Sequence, residues 1–313
     1  MAKKYTEEYV NINGTLQYFL HYPTKNSGVV GIMLHGGPGL ANSYIAYHVQ
    51  PYIHTCSMVY YDQRGAGKTL LKNKTTQDEL SLDLMIEDLR QVIVHVKEKY
   101  ETENVFLIGH SWGTVLGTQY IIRYPKDVIG YVGYGQEVDF LKGNRRWFLH
   151  LKSTIERSGN KKNIKKIAMV NENYPNHMTF DEFHKVYHVL NGLEIKYGYQ
   201  KEKINLIYRK SPIMTFKDGL NMWKGEKVSQ KMSSEVFYNY SILDVKAYEV
   251  PVFYILGRHD AWTHSEVAAE YFEQIQSKKG LYWIEDGGHF PELDNPKAFG
   301  EAIEDIVAKL QSR

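Results

Sequence analysis

The sequence predicts an α/β protein: a mostly parallel central sheet with helices on both faces and an inserted helical cap. Three observations carry this. Short apolar runs recur without alternation, as strands buried on both faces of a parallel sheet require. Stretches with an apolar stripe at helical spacing fall between them. The rhythm then stops over residues 136–241.

Taken in order, residues 8–22 alternate around Asn13-Gly14, which predicts an antiparallel hairpin. The continuous runs Val29–Leu34, Met58–Tyr61, Val105–Ile108, Val252–Leu256 and Leu281–Ile284 predict five buried strands, and Ile129–Tyr134 a sixth. Leu82, Met85, Ile86, Leu89, Ile93 and Val96 form one stripe of a helix over 82–100. Phe299, Ile303, Ile306 and Leu310 repeat the pattern near the C-terminus. Strands alternating with helices build a parallel sheet. Residues 136–241 hold 19 Lys/Arg against 11 Asp/Glu, many tyrosines and no buried-strand run. They are read as a helical cap, leaving 1–135 and 242–313 as the core.

Composition narrows the function. A net charge of +2 over 313 residues gives no general attraction to nucleic acid or to a membrane surface. No run of 18 apolar residues predicts a membrane span, and the start MAKKYTEEYV lacks an apolar leader, so a cytoplasmic protein is expected. A single cysteine, Cys56, precludes an internal disulfide.

Chemistry enters with GHSWG, residues 109–113, between the strand NVFLI and a helical stretch closed by Pro125. G-x-S-x-G between strand and helix is a nucleophile elbow: the serine sits on a sharp turn, and the glycines let strand and helix approach closely. Ser111 is the candidate nucleophile, and a serine hydroxyl needs a base. His289, in EDGGHFPELDNP after the last strand, is the candidate base. Asp260, in GRHD directly after PVFYIL, is the candidate carboxylate, with Asp244, Glu285 and Asp286 as rivals. The chain order Ser, Asp, His is that of the α/β-hydrolase fold. HGGPG, residues 35–39, follows an earlier strand and is expected to complete an oxyanion hole, the amides of Gly37 and Trp112 being the donors. This machinery needs neither cofactor nor metal.

Two motifs lead elsewhere. GAGKT (65–69) resembles the end of a phosphate-binding loop, but that loop needs glycine at position 62, where this chain has aspartate. His184 and His188 are spaced i, i+4 without H-E-x-x-H or a third ligand, and read as a surface pair.

With HGGPG (35–39), DQRGAGKT (62–69), GHSWG (109–113), GRHD (257–260) and GGH (287–289) in order, the chain resembles the proline iminopeptidase (prolyl aminopeptidase) family. The resemblance implies a serine aminopeptidase acting on short peptides, with Asp62 and Arg64 as structural supports; Thr69 stands where that family usually has serine. It also implies acidic cap residues for the substrate's ammonium. The tryptophan- and glutamate-bearing cap pattern of that family is not found here. Glu137, just after the sixth strand, is the candidate, with a solvated linker residue as the alternative; Glu172, Glu194 and Glu226 are further carboxylates. The expected substrate is a small peptide. A carboxylesterase or other small-molecule acyl hydrolase is the alternative, and a non-catalytic binding protein on this fold is a third reading.

Overall fold

The computed structural model describes residues 5–25, 27–73, 80–199, 204–221 and 224–312. Its strands are β1 (Thr6–Ile12), β2 (Thr15–Tyr22), β3 (Val30–Leu34), β4 (Ser57–Asp62), β5 (Val105–His110), β6 (Gly130–Tyr134), β7 (Val252–Gly257) and β8 (Lys279–Ile284). They form one sheet in the order β1-β2-β4-β3-β5-β6-β7-β8. β1 and β2 pair antiparallel, and β2 pairs antiparallel with β4. From β4 onward all neighbours are parallel.

Asn13 and Gly14 both have positive φ, 47° and 78°, as a two-residue hairpin turn matched to strand twist demands. β3 to β7 are buried along their whole lengths, which is why their sequences run apolar without alternation. β8 differs. It starts two residues before the predicted run and is half-buried, because it is the sheet's last strand. The Arg258 guanidinium lies 3.7 Å from the Trp283 ring centroid and covers part of it.

The helix Leu82–Tyr100 starts at Ser81, whose side chain accepts from the Leu84 amide, and packs Met85, Ile86, Leu89, Val92, Ile93 and Val96 into the core. The helix Pro296–Gln311 buries Phe299, Ile303, Ile306 and Leu310 against the other face. No helix among the described residues is long and apolar enough to cross a membrane.

Chain order reverses at the middle of the sheet: β4 lies on one side of β3 and β5 on the other. Ligands of open α/β sheets bind above the carboxyl ends of the strands at such a point. β3 and β5 are in register, Leu34 opposite Gly109, so the loops that follow them emerge side by side.

Between β6 and β7 the chain forms the helices Phe140–Arg157, Lys161–Ala168, Phe180–Tyr197, Ile204–Arg209, Phe216–Asn221 and Lys224–Phe237. It leaves and returns through one narrow neck. Asp139 and Ser241 form an antiparallel bridge; the Phe140 amide donates to the Tyr240 carbonyl at 3.1 Å, and the Ile242 amide to Val138 at 2.9 Å. Trp147, Phe148, Leu151, Ile155, Tyr174 and Leu190 belong to a core of their own, joined by Ala261 from the loop after β7.

Candidate active site

Ser111 has φ 51° and ψ −115°, between the end of β5 and the helix Trp112–Arg123. A non-glycine residue at positive φ is strained and persists only where its surroundings fix it. Here the Ser111 amide donates to the Tyr134 carbonyl at 3.2 Å, and its own carbonyl accepts from the Thr114 amide (2.8 Å) and hydroxyl (2.6 Å). The flanking glycines are required by close approach. A Cβ on Gly109 would lie 2.6 Å from the Gly113 carbonyl oxygen, and one on Gly113 would lie 2.0 Å from that of Leu34.

Asp260 follows β7 and His289 follows β8, two adjacent strands. Asp260 Oδ2 lies 3.0 Å from His289 Nδ1. The carboxylate is itself held: Oδ1 accepts from the amides of Trp262 (2.9 Å) and Thr263 (3.2 Å), and Oδ2 from the Thr263 hydroxyl (2.8 Å). Burial alone would push Asp260 up. The charge and hydrogen bond of His289 and those from Thr263 outweigh it, so Asp260 sits below the usual carboxylate range. The rivals are placed differently: Asp244 and Glu285 are exposed, and Glu285 pairs with Arg258 at 2.7 Å. The His289 ring packs edge-on to Trp262 (5.2 Å between centroids) and lies against Gly135, where a Cβ would be 3.0 Å from Cε1.

The HGGPG loop lies against the elbow. A Cβ on Gly36 would sit 3.2 Å from Ser111 Cβ. Gly37 has φ 112°, and a Cβ there would meet the Gly39 and Leu40 amides at 2.7 and 2.8 Å. The Trp112 amide opens a helix, where backbone donors have no intrahelical acceptor. Gln63 ties the two pieces together. Its amide donates to His35 Nε2 (3.0 Å), its side chain donates to the His35 carbonyl (3.2 Å), and its Oε1 accepts from the Trp112 indole (3.1 Å). The sequence reading passed over this residue, although it stands inside DQRG.

The rest of DQRGAGKT supports the loops. Asp62 is fully buried and accepts from Ser43 Oγ (2.6 Å) and the Lys68 amide (2.7 Å). Arg64 makes a two-pronged contact with Asp88, at 2.8 and 3.0 Å, and reaches the hairpin carbonyls of Ile12 and Asn13. The Lys68 ammonium, which would face a phosphate in a nucleotide-binding loop, instead meets Asp218 at 2.8 Å, nearly out of solvent.

The four acidic candidates separate clearly. Glu172 is exposed beside Lys152. Glu226 is exposed, but its backbone touches the HGGPG loop: a Cβ on Gly39 would lie 2.5 Å from its amide nitrogen. Glu194 is buried, accepts from the Trp147 indole at 2.8 Å, and is raised by burial above the usual range. Glu137 is not a solvated linker residue. It is 5% exposed, Oε1 has no hydrogen-bond partner, and burial, with Asp139 and Asp260 nearby, pushes it up to about 8. Burial raises the Tyr187 hydroxyl above its usual range, and Glu226, Glu137 and Glu194 add to the shift.

Comparisons with known proteins bear on the fold and the family. The family described as alpha/beta hydrolase fold matches residues 32–296. A proline iminopeptidase of Heyndrickxia coagulans is 25% identical over 98% of this chain and 100% of its own length. A probable aminopeptidase of Bacillus subtilis, YbaC, is 22% identical over 87% of this chain and 86% of its own. Among solved structures, a proline iminopeptidase of Mycobacterium smegmatis superposes with TM-score 0.67 at 14% identity, covering 97% of this chain and 98% of that one. An esterase of Exiguobacterium antarcticum gives 0.62 at 18% identity, covering 97% and 100%. The two structures share the fold. With the family match over most of its length, the chain belongs to the alpha/beta hydrolase fold family and is a hydrolase.

Proposed function

We propose that this chain is a serine aminopeptidase of the proline iminopeptidase type, releasing the N-terminal residue of short peptides. Ser111 Oγ attacks the scissile carbonyl. His289 takes the hydroxyl proton and later gives it to the leaving amine; Asp260 holds the tautomer that keeps Nε2 free and stabilises the imidazolium. The amides of Gly37 and Trp112 receive the oxyanion. Residues 136–241 act as a cap over a core of 1–135 and 242–313, and Glu137 takes the substrate ammonium. The observation that carries the reading is the Asp260–His289 bond at the ends of β7 and β8, with a serine strained to φ 51° at the end of β5.

One observation favours a carboxylesterase as the second reading. At about 8, Glu137 is largely uncharged at neutral pH and presents no standing negative charge to an amine. Hydrolysis of prolyl and other aminoacyl arylamides, set beside acyl nitrophenyl esters, separates the two. Turnover of aminoacyl arylamides with a free amine, lost on N-acetylation, supports the aminopeptidase. Turnover of simple esters alone assigns an esterase.

A further inference from the structure

His110 precedes the nucleophile, and the triad leaves it without a task. It is 2% exposed, and its ring lies among the loops that carry the machinery. Its backbone continues into Ser111. Its Nε2 lies 3.0 Å from the carbonyl oxygen of His289. Its Nδ1 faces the HGGPG loop, where a Cβ on Gly36 would be 2.9 Å away. On the side of β6, a Cβ on Gly135 would lie 3.3 Å from its Cδ2 and 3.0 Å from Cε1 of His289.

A carbonyl oxygen only accepts, so a hydrogen must sit on Nε2. Burial and the neighbouring His289 push this histidine well below its usual range, so the ring is neutral at neutral pH. The buried Nδ1 is left as an acceptor without a partner. The ring plane is set by Tyr134, its cross-strand partner, stacked at 4.6 Å and 14°. The Tyr134 hydroxyl is held in turn, 3.3 Å from both Asn42 Nδ2 and Glu292 Oε1.

We propose that His110 is a positioning residue: its Nε2–H fastens the carbonyl of His289, and so the base-bearing loop, to the turn that carries Ser111. The loop needs this because Gly287-Gly288 directly precede His289, and glycine has the most backbone freedom. Upstream it is tied by His259 N to the Gly287 carbonyl (2.9 Å) and by Gly288 N to Asp294 (2.7 Å). At His289 itself the carbonyl is fixed by His110. A buried histidine satisfying a carbonyl is commonplace in protein cores. Here donor and acceptor belong to the residue before the nucleophile and to the base, so the bond sets their separation directly. The inference rests on Ser111 and His289 being nucleophile and base.

The test uses His110→Phe, which keeps a stacking ring without a donor, and His110→Gln, which restores an N–H. A misplacement of about 1 Å at a reacting group costs on the order of a hundredfold. His110→Phe is therefore expected to lose about 10- to 100-fold in kcat with KM little changed, to label more slowly with a fluorophosphonate, and to be partly rescued as Gln. In wild-type protein with ¹⁵N-labelled histidine, NMR is expected to show a neutral Nε2–H ring at His110 at neutral pH, a readout that needs no variant to fold. A kcat within twofold of wild type, equal losses in Phe and Gln, or an Nδ1–H tautomer overturns the proposal. Wild-type protein that does not label at Ser111 overturns the serine-hydrolase reading and this proposal with it; normal labelling beside an unaffected His110→Phe overturns the positioning role alone.

Discussion

Asp260 and His289 meet across the ends of adjacent strands, Oδ2 to Nδ1 at 3.0 Å, and Thr263 binds the same oxygen from the other side. The carboxylate is thus fixed before the histidine reaches it. Asp260→Asn keeps the volume but offers an amide that can favour the wrong imidazole tautomer. Turnover is expected to fall by about 10⁴ with the melting temperature little changed. Steady-state kinetics and thermal denaturation check this, and a loss under tenfold would move the role to another acid.

Glu137 governs selectivity under the aminopeptidase reading. Breaking a buried charge contact costs about 2–5 kcal/mol, so Glu137→Gln is expected to lower kcat/KM for free-amine substrates by about thirtyfold or more. Neutral acyl esters are expected to be hydrolysed as before. Parallel kinetics on both classes decide; equal losses would place Glu137 in the fold or the chemistry.

Glu292 is buried against Tyr134, and burial first, then Asp294, pushes it up to about 8 from 4.5. The folded chain holds this proton more tightly than the unfolded chain does. Its contribution is complete below about pH 4.5 and is lost as pH rises through about 8, at up to about 1.4 kcal/mol per pH unit. Glu137, also at about 8, and Asp62, at about 7, act in the same direction. Below about pH 6.5 the buried histidines His21, His35 and His110, all lowered by burial, pull the other way, so melting temperature is expected to fall from about pH 6.5 to 8.5, and less steeply in Glu292→Gln. Identical slopes would contradict the assignment.

Arg64 and Asp88 pin the β1–β2 hairpin to the helix Leu82–Tyr100, with Gln17 and Asn13 also donating to Asp88 at 2.7 and 2.9 Å. Removing one partner strands the other charge out of water. Arg64→Met is expected to destabilise by about 3–5 kcal/mol. Chemical denaturation measures this, and a change below 1 kcal/mol would make the pair a solvated contact.

The sheet was legible because strands buried on both faces write themselves as unbroken apolar runs; the ends were not, and β4, β5 and β8 each extend past the predicted run, β5 through Gly109 and His110 into the elbow. That Ser111, Asp260 and His289 follow β5, β7 and β8 was legible because each lies in a short motif just after an apolar run. The helical segment was harder to read. That Glu194 meets Trp147, 47 residues away in sequence, or that Glu137 is sealed from water, depends on how helices pack, and no local pattern records it. Glu226 reaches the HGGPG loop only because Gly39 and Gly225 let two backbones touch.

The Asp139–Ser241 bridge has a consequence for how such a molecule changes over time. About a third of the chain hangs from two backbone crossings that are hydrogen-bonded neighbours, so the ends left by its removal already lie together. Closing them takes a short turn with little loop entropy. Insertions and exchanges succeed best where the joining points are adjacent. Changes in length among the helices between 140 and 237 are therefore expected to leave the eight-strand sheet in register where they spare Ile207, Tyr208 and Met232, whose side chains are buried in the clusters that flank the sheet.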